Sequence, residues 1–423
     1  MEKLKEVSVI FHNAATVKFL EPLADAVAHN VTSVLQLMDI CDQLHKLEVL
    51  VHVSTAMVNC DLANIEERVY DAPVDLEHVM ALLKALPKDI LQDVTPRLLH
   101  PKPNTYVFTK ALAEVELQRR TNRRYSVAIF RPSIVVSSDR WPLPGWVEGL
   151  SGATGVLVGT GQGVLRAFPL DYDMRADLIP VDVVIDDMLA VAWETAVDRL
   201  EHVRVYHCSS MENPVSWRQF HRRVMRVVLE RPFDNIFYYP FAYGIKNKFH
   251  YKFVEVMFQT VPCYIMEYIL KVFRVKTSIS LSKAADRISS MNSVLRFFAC
   301  QEFNFRVDNM RRLVDRLRET DGRLYHFDVK DVNWDEHTLN FMLGARRFVM
   351  KQKDEGLPAA HAHLRRLRFV HNCMKLLLAY LCYKFTRSLA PTALKLSNIV
   401  YSNVLQQRFV KKIHTQYLSK LVV

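Results

Sequence analysis

The sequence predicts an α/β fold: a doubly wound parallel sheet, then a mainly helical carboxyl-terminal part and a basic amphipathic tail. Three observations predict it. Apolar runs of strand length lie near residues 7–11, 48–53, 125–131 and 203–208, with the continuous character of strands buried on both faces. Stretches of helical periodicity lie between them, and loops rich in Pro and Gly separate the units. Beyond residue 230 the composition shifts to aromatics and long aliphatics.

In chain order, VSVIF opens the sheet at 7–11, as though the chain entered it in mid-fold. HNAA, His12 to Ala15, is the turn that leaves this strand, and a helix is expected over 23–45 with Asn30 inside it. LEVLVHVSTA supplies the second strand and ends in Ser54 and Thr55. A helix over 104–119 carries Tyr106 and Lys110, and the strand before FRPSIV delivers Pro132, Ser133 and Ile134 to the sheet end. Helices over 180–196 and 216–229 flank the fourth strand, the last opening with Ser216 behind Pro214. Gly149, Gly152 and Gly155 spell GxxGxxG, but the run follows WPLPGW instead of an apolar strand. It therefore reads as a loop or plain turn, not a phosphate cradle.

Residues 231–276 are dense in aromatics yet broken by Glu255, Pro262, Glu267 and Lys271, which disfavours a clean membrane span. Two readings stand, an interfacial helical hairpin and a buried helix pair. Residues 277–350 read as mainly helical. The expected divisions are 1–230, 231–350 and 351–423.

Net charge is +11, but residues 361–423 hold 11 Lys and Arg and no Asp or Glu, so residues 1–360 sum to zero. The basic positions are interleaved with Leu, Val, Phe and Tyr, which suits an anionic membrane surface and ranks nucleic-acid binding last. Leu396, Val400, Val404 and Leu405 make an amphipathic stripe. Seven cysteines lie scattered without CxxC pairing, which opposes a zinc site or a disulfide framework and favours a reducing compartment. No secretory signal is expected from the opening residues.

Tyr106 and Lys110 are four residues apart on a helix and so share one face, where the ammonium would favour ionisation of the phenol. Thr55, with Ser54 beside it, ends a neighbouring strand about fifty residues earlier and could hold a carbonyl oxygen. Together these residues suggest carbonyl reduction by hydride.

The ordered set VSVIFHNAATVKF, HVSTAMVNCD, NTYVFTKALAE, FRPSIV and ADLIPVDVVIDDMLA resembles the extended short-chain dehydrogenase/reductase superfamily, and within it the fatty acyl-CoA reductases, over about residues 7–350. The resemblance implies a Rossmann-like sheet, with Tyr106 as proton donor, Lys110 as its activator, Thr55 orienting the carbonyl and Asn30 ordering a water beside Lys110. It further implies that Asn13, Ala14, Ser54, Pro132 and Ile134 line the cofactor together with Tyr106 and Lys110. NADPH is the implied reductant and a long-chain fatty acyl-CoA the implied substrate, reduced through an aldehyde to a primary alcohol. A membrane-associated protein with a cytosolic catalytic part, at the endoplasmic reticulum or peroxisome, is expected, given the basic apolar tail, the unpaired cysteines and the lack of a secretory signal.

The family's pattern places a strand, a glycine-rich turn, a helix and two further strands ahead of the counterpart of VSVIF, and this sequence opens without them. The sheet is thus expected to lack its first strands, leaving 7–11 as an apolar edge prone to aggregation. Two functions from other classes compete. One is a noncatalytic lipid-surface or partner-binding protein of reductase shape; the other is a sugar-nucleotide epimerase, which the apolar region after 230 and the basic tail disfavour.

Overall fold

Four strands pair in parallel in the order β1 (Val9–His12), β2 (Val49–Val53), β3 (Ser126–Pro132) and β4 (Arg204–Cys208). The computed structural model describes residues 4–150, 152–234, 236–273, 280–318 and 325–420, with side chains as far as 388. Val9 lies opposite Val49, Val49 opposite Ser126 and Ala128 opposite Arg204. β2 and β3 are buried throughout, as their unbroken apolar character requires. β1 is the edge, with Val9 and Phe11 exposed.

Helix α1 runs as Leu23–Val27, a π-helical turn Ala28–Thr32 and Ser33–Cys41. With α4 (Thr105–Arg119) it covers one face, where Val34, Met38 and Leu117 meet Leu50, Val127, Ile129 and Val205. Those sheet residues alternate along their strands, so a single face is addressed. Helix α6 (Val181–Asp198) packs on β2 and β3, and α10 (Asp308–Arg318) packs on β4 and α6. Two helices that the periodicity leaves unassigned, α2 (Leu76–Ala85) and α3 (Lys88–Leu99), close the core beside α1 and α4. Helix α7 (Trp217–Glu230) starts with a capping box between Ser216 and Gln219.

Two expectations are corrected. The glycine-rich run is not a loop but a helix, α5 (Gly152–Gly161), with Thr154, Leu157 and Val158 buried. The apolar stretch after 230 is not by itself a helix pair. It contains one helix, α8, running Lys248–Glu255, a π-helical turn Val256–Thr260 and Val261–Val272, and its antiparallel neighbour is the later α9 (Leu281–Ala299). Pro262 does not break α8, because a proline in the first turn after the π-turn costs little. Helix α11 (Trp334–Gly344) packs on α7.

The chain divides into two units, Met1–His361 and Ala362–Val423. The second is carried by helix α12 (Leu357–Lys420), in which Phe369, Leu376, Leu381 and Phe385 are exposed. The stripe at 396–405 lies outside the described side chains.

Candidate functional site

Asn104 precedes α4 in extended backbone, and its Oδ1 accepts the Val107 amide at 2.9 Å. That cap fixes where the helix begins, and so which face carries Tyr106 and Lys110. One turn on, Glu114 pairs with the buried Arg131 of β3 (Nε to Oε1, 2.9 Å), clamping α4 to the sheet. Lys110 is buried, and its Nζ donates to the Val53 carbonyl at the end of β2 (2.8 Å). Burial lowers the Lys110 ammonium to about 8, against the opposing pull of Glu114.

Tyr106 and Thr55 line the same cavity at the end of the sheet. Burial pushes the phenol up to about 12, partly offset by Thr55. Desolvation therefore dominates at the phenol, while the Lys110 ammonium is engaged on the Val53 carbonyl. A phenol held neutral is a proton donor. Thr55 is also the N-cap of the turn Ala56–Asn59, where its Oγ1 accepts the Met57 amide at 3.3 Å. That bond uses an acceptor lone pair and leaves the hydroxyl hydrogen able to donate.

Asn30 lies in the π-turn of α1. Its Oδ1 accepts the Thr16 amide (2.9 Å), and its Nδ2 donates to the Thr16 carbonyl (3.3 Å) and to Thr109 Oγ1 (3.0 Å). The side chain thus ties the loop after β1 to α4 one residue before Lys110, and none of these bonds reaches Lys110 itself. Pro132 ends β3, and Ile134 follows it into the cavity wall. Asn13 and Ala14 are exposed just beyond β1, at the same end of the sheet. Ser54 Oγ and Ser133 Oγ are buried without a hydrogen-bond partner among the described residues.

A cavity of about 310 Å³ opens from Thr55, Tyr106 and Ser133. Its walls are mostly apolar: Phe19, Val156 and Leu157, then Trp217, Phe220 and Val224 of α7, and Leu295, Phe298 and Ala299 of α9. Sequence reasoning misses these wall residues, although positions 217, 220, 221 and 224 are spaced as one helix face. It also misses a histidine pair. His12 and His52 face each other across β1 and β2, Nδ1 to Nδ1 at 2.9 Å with stacked rings. Burial, then the charge of Lys110, lowers His12 to about 4 and holds His52 well below the usual imidazole range, so both are neutral.

These groups can hold one small electrophile. Two hydroxyl-bearing side chains, Tyr106 and Thr55, line an apolar cavity, with the Lys110 ammonium one turn on from Tyr106, and no cluster of metal-binding side chains occurs among the described residues. The unpaired Ser54 and Ser133 hydroxyls and the Lys110 ammonium also suit the nicotinamide and ribose end of a dinucleotide, at the carboxyl ends of β2 and β3. The sequence has no glycine before Gly145, so a glycine-rich pyrophosphate turn is not among these residues.

The family model NAD_binding_4, described as male sterility protein, matches residues 1–188, and the model Sterile, with the same description, matches 258–352. Fatty acyl-CoA reductase 2 of Mus musculus is 36% identical over 371 residues, covering 88% of this chain and 72% of that protein. Fatty acyl-CoA reductase 1 of Gallus gallus is 34% identical over 385 residues, covering 90% and 74%. Among solved structures, UDP-glucuronic acid 4-epimerase from Bacillus cereus in complex with NAD has a TM-score of 0.49 at 12% identity, covering 84% of this chain and 77% of that one.

Proposed function

The chain belongs to the fatty acyl-CoA reductase family, and from that premise we propose that it reduces a long-chain fatty acyl-CoA with NADPH to the primary alcohol, through the aldehyde. The observation that carries this reading is that Tyr106 and Thr55 line one apolar cavity at the end of the sheet. An acyl chain would occupy the cavity, losing water along its length, with its carbonyl at the two hydroxyls.

NADPH, when bound, supplies the hydride. Lys110, Ser54, Ser133, Pro132 and Ile134 would hold its nicotinamide and ribose, with Asn13 and Ala14 beyond them. Thr55 donates a hydrogen bond to the carbonyl oxygen and orients it. Tyr106 donates its phenolic proton as negative charge develops on that oxygen, a downhill transfer because an alkoxide is more basic than a phenolate. Lys110 holds a positive charge near the resulting phenolate until solvent reprotonates it. In the first round the tetrahedral adduct expels CoA as the thiol and leaves the aldehyde. In the second the same groups protonate the alcohol oxygen, so each round consumes one hydride and one proton. Asn30 positions Lys110 indirectly, by fixing the loop after β1 to α4. We also assign the basic, apolar α12 to a membrane surface of the endoplasmic reticulum or peroxisome, with the catalytic part cytosolic.

A second reading, a noncatalytic lipid-surface protein of the same fold, rests on the exposed apolar side chains Phe369, Leu376, Leu381 and Phe385 of α12. The test is NADPH oxidation with a long-chain acyl-CoA, measured on the folded chain with the alcohol product followed. Alcohol formed supports the reductase reading. No product from the folded chain favours the noncatalytic one.

A further inference from the structure

We propose that α8, independently of the tail, is a membrane-embedded surface helix that lies in the plane of a lipid bilayer. Its polarity is inverted relative to a helix built for water. Tyr251, Glu255 and Gln259, at successive i+4 positions, form the buried face. Glu255 Oε1 accepts from Tyr251 Oη (2.8 Å), Asn292 Nδ2 donates to that same Oη (3.1 Å), and Gln259 Oε1 accepts the Arg166 amide (2.9 Å). The outward stripe is Phe249, Phe253, Met257, Val261, Ile265 and Ile269, all exposed, with Phe249 at 85% and Phe253 at 62%.

Charge argues for the same occupant. Both acidic residues of α8 are already neutralised by its own lysines, Glu255 by Lys252 and Glu267 by Lys271, each at 2.8 Å. A protein partner would cover one face and leave a polar rim, whereas no residue of Val261–Val272 is buried and the exposed side is apolar over most of its girth. Lipid covers such a helix on every free side. Among the described residues α8 is also the one helix long and apolar enough to cross a membrane, but its polar face is held by the protein, which keeps it lying flat. The chain leading into α8 supplies Ala242, Tyr243 and Gly244 to the cavity wall, and Tyr243 is exposed there. A bilayer that receives α8 therefore comes up to the rim of the cavity.

The experiment uses the full chain with Phe253→Trp, an exposed position whose exchange leaves the core intact, and phosphatidylcholine vesicles brominated in their acyl chains. The fluorescence added relative to the parent chain is expected to fall by about half or more. The fall should be the same with or without phosphatidylserine and at high salt, because apolar burial drives it. It should persist in a tail-altered chain, Leu376→Ser/Leu377→Ser/Leu381→Ser. In that background Phe249→Ser/Ile265→Ser should weaken vesicle partition by about tenfold. Lack of quenching, quenching only with phosphatidylserine or only with an intact tail, or a stable dimer that shields the reporter from lipid would each overturn the proposal. None of these readings depends on catalysis.

Discussion

Lys110 sets the pH behaviour of the site. Its pKa is lowered in the folded chain from 10.5 to about 8 by burial, so the unfolded chain holds its proton over a range where the folded chain has released it. The cost of burying the ammonium is complete below pH 8 and fades as pH rises from 8 to 10.5. That cost is on the order of 3 kcal/mol, and losing the bond to Val53 would give back about 1–2 kcal/mol. Lys110→Met should therefore raise stability at pH 7 by about 1–2 kcal/mol, with the gain shrinking above pH 8, as read by denaturant melts across pH. The same change should abolish turnover. In the parent enzyme, activity should fall as pH climbs through 8 and Lys110 loses its charge. Tyr106, Lys110 and Thr55 are legible in the sequence because helical spacing and a strand end place them, whatever the packing around them. The neutral His12–His52 pair and the unpaired Ser133 are not, because each depends on which strand lies beside which.

At the scale of elements, the helices most visible in the sequence are those with a clear apolar stripe and a cap, such as α7 behind Ser216. Helix α5 is hidden because its glycines look like turn residues, whereas Gly155 and Gly161 serve close packing. A Cβ on Gly161 would come within 2.4 Å of the Phe233 ring. Gly161→Ala should cost about 1–3 kcal/mol, measured as a lower denaturation midpoint, since the ring must shift inside a packed wall. In helix α8 the apolar stripe points outward, and periodicity finds such a helix without deciding between an interfacial and a buried face. Gln259 is the key to that face, because its Oε1 takes the backbone amides of Arg166 and Ala167 (2.9 and 3.4 Å). Gln259→Leu should lose about 2–3 kcal/mol despite adding apolar surface, a sign that urea melts can check. Strand β1 was legible as an edge. Phe11→Lys should reduce concentration-dependent light scattering, because a charge there opposes edge-to-edge pairing.

For the whole molecule, the charge of +11 is misleading until it is located, since the net excess lies in the tail and the cavity carries an apolar wall instead. Length and motif order were enough to place the sheet and the family. The cavity could not be read that way, because its walls come from α5, α7 and α9, segments distant in sequence that converge only on folding. One comparison bears most directly on the central claim that Tyr106 protonates a carbonyl oxygen held by Thr55 as hydride arrives. It is alcohol formation from a long-chain acyl-CoA and NADPH by Tyr106→Phe, against its parent. The account predicts a fall in kcat of about 100-fold or more with KM little changed, because the hydroxyl acts only as charge develops. Equal alcohol production by the two chains would contradict it.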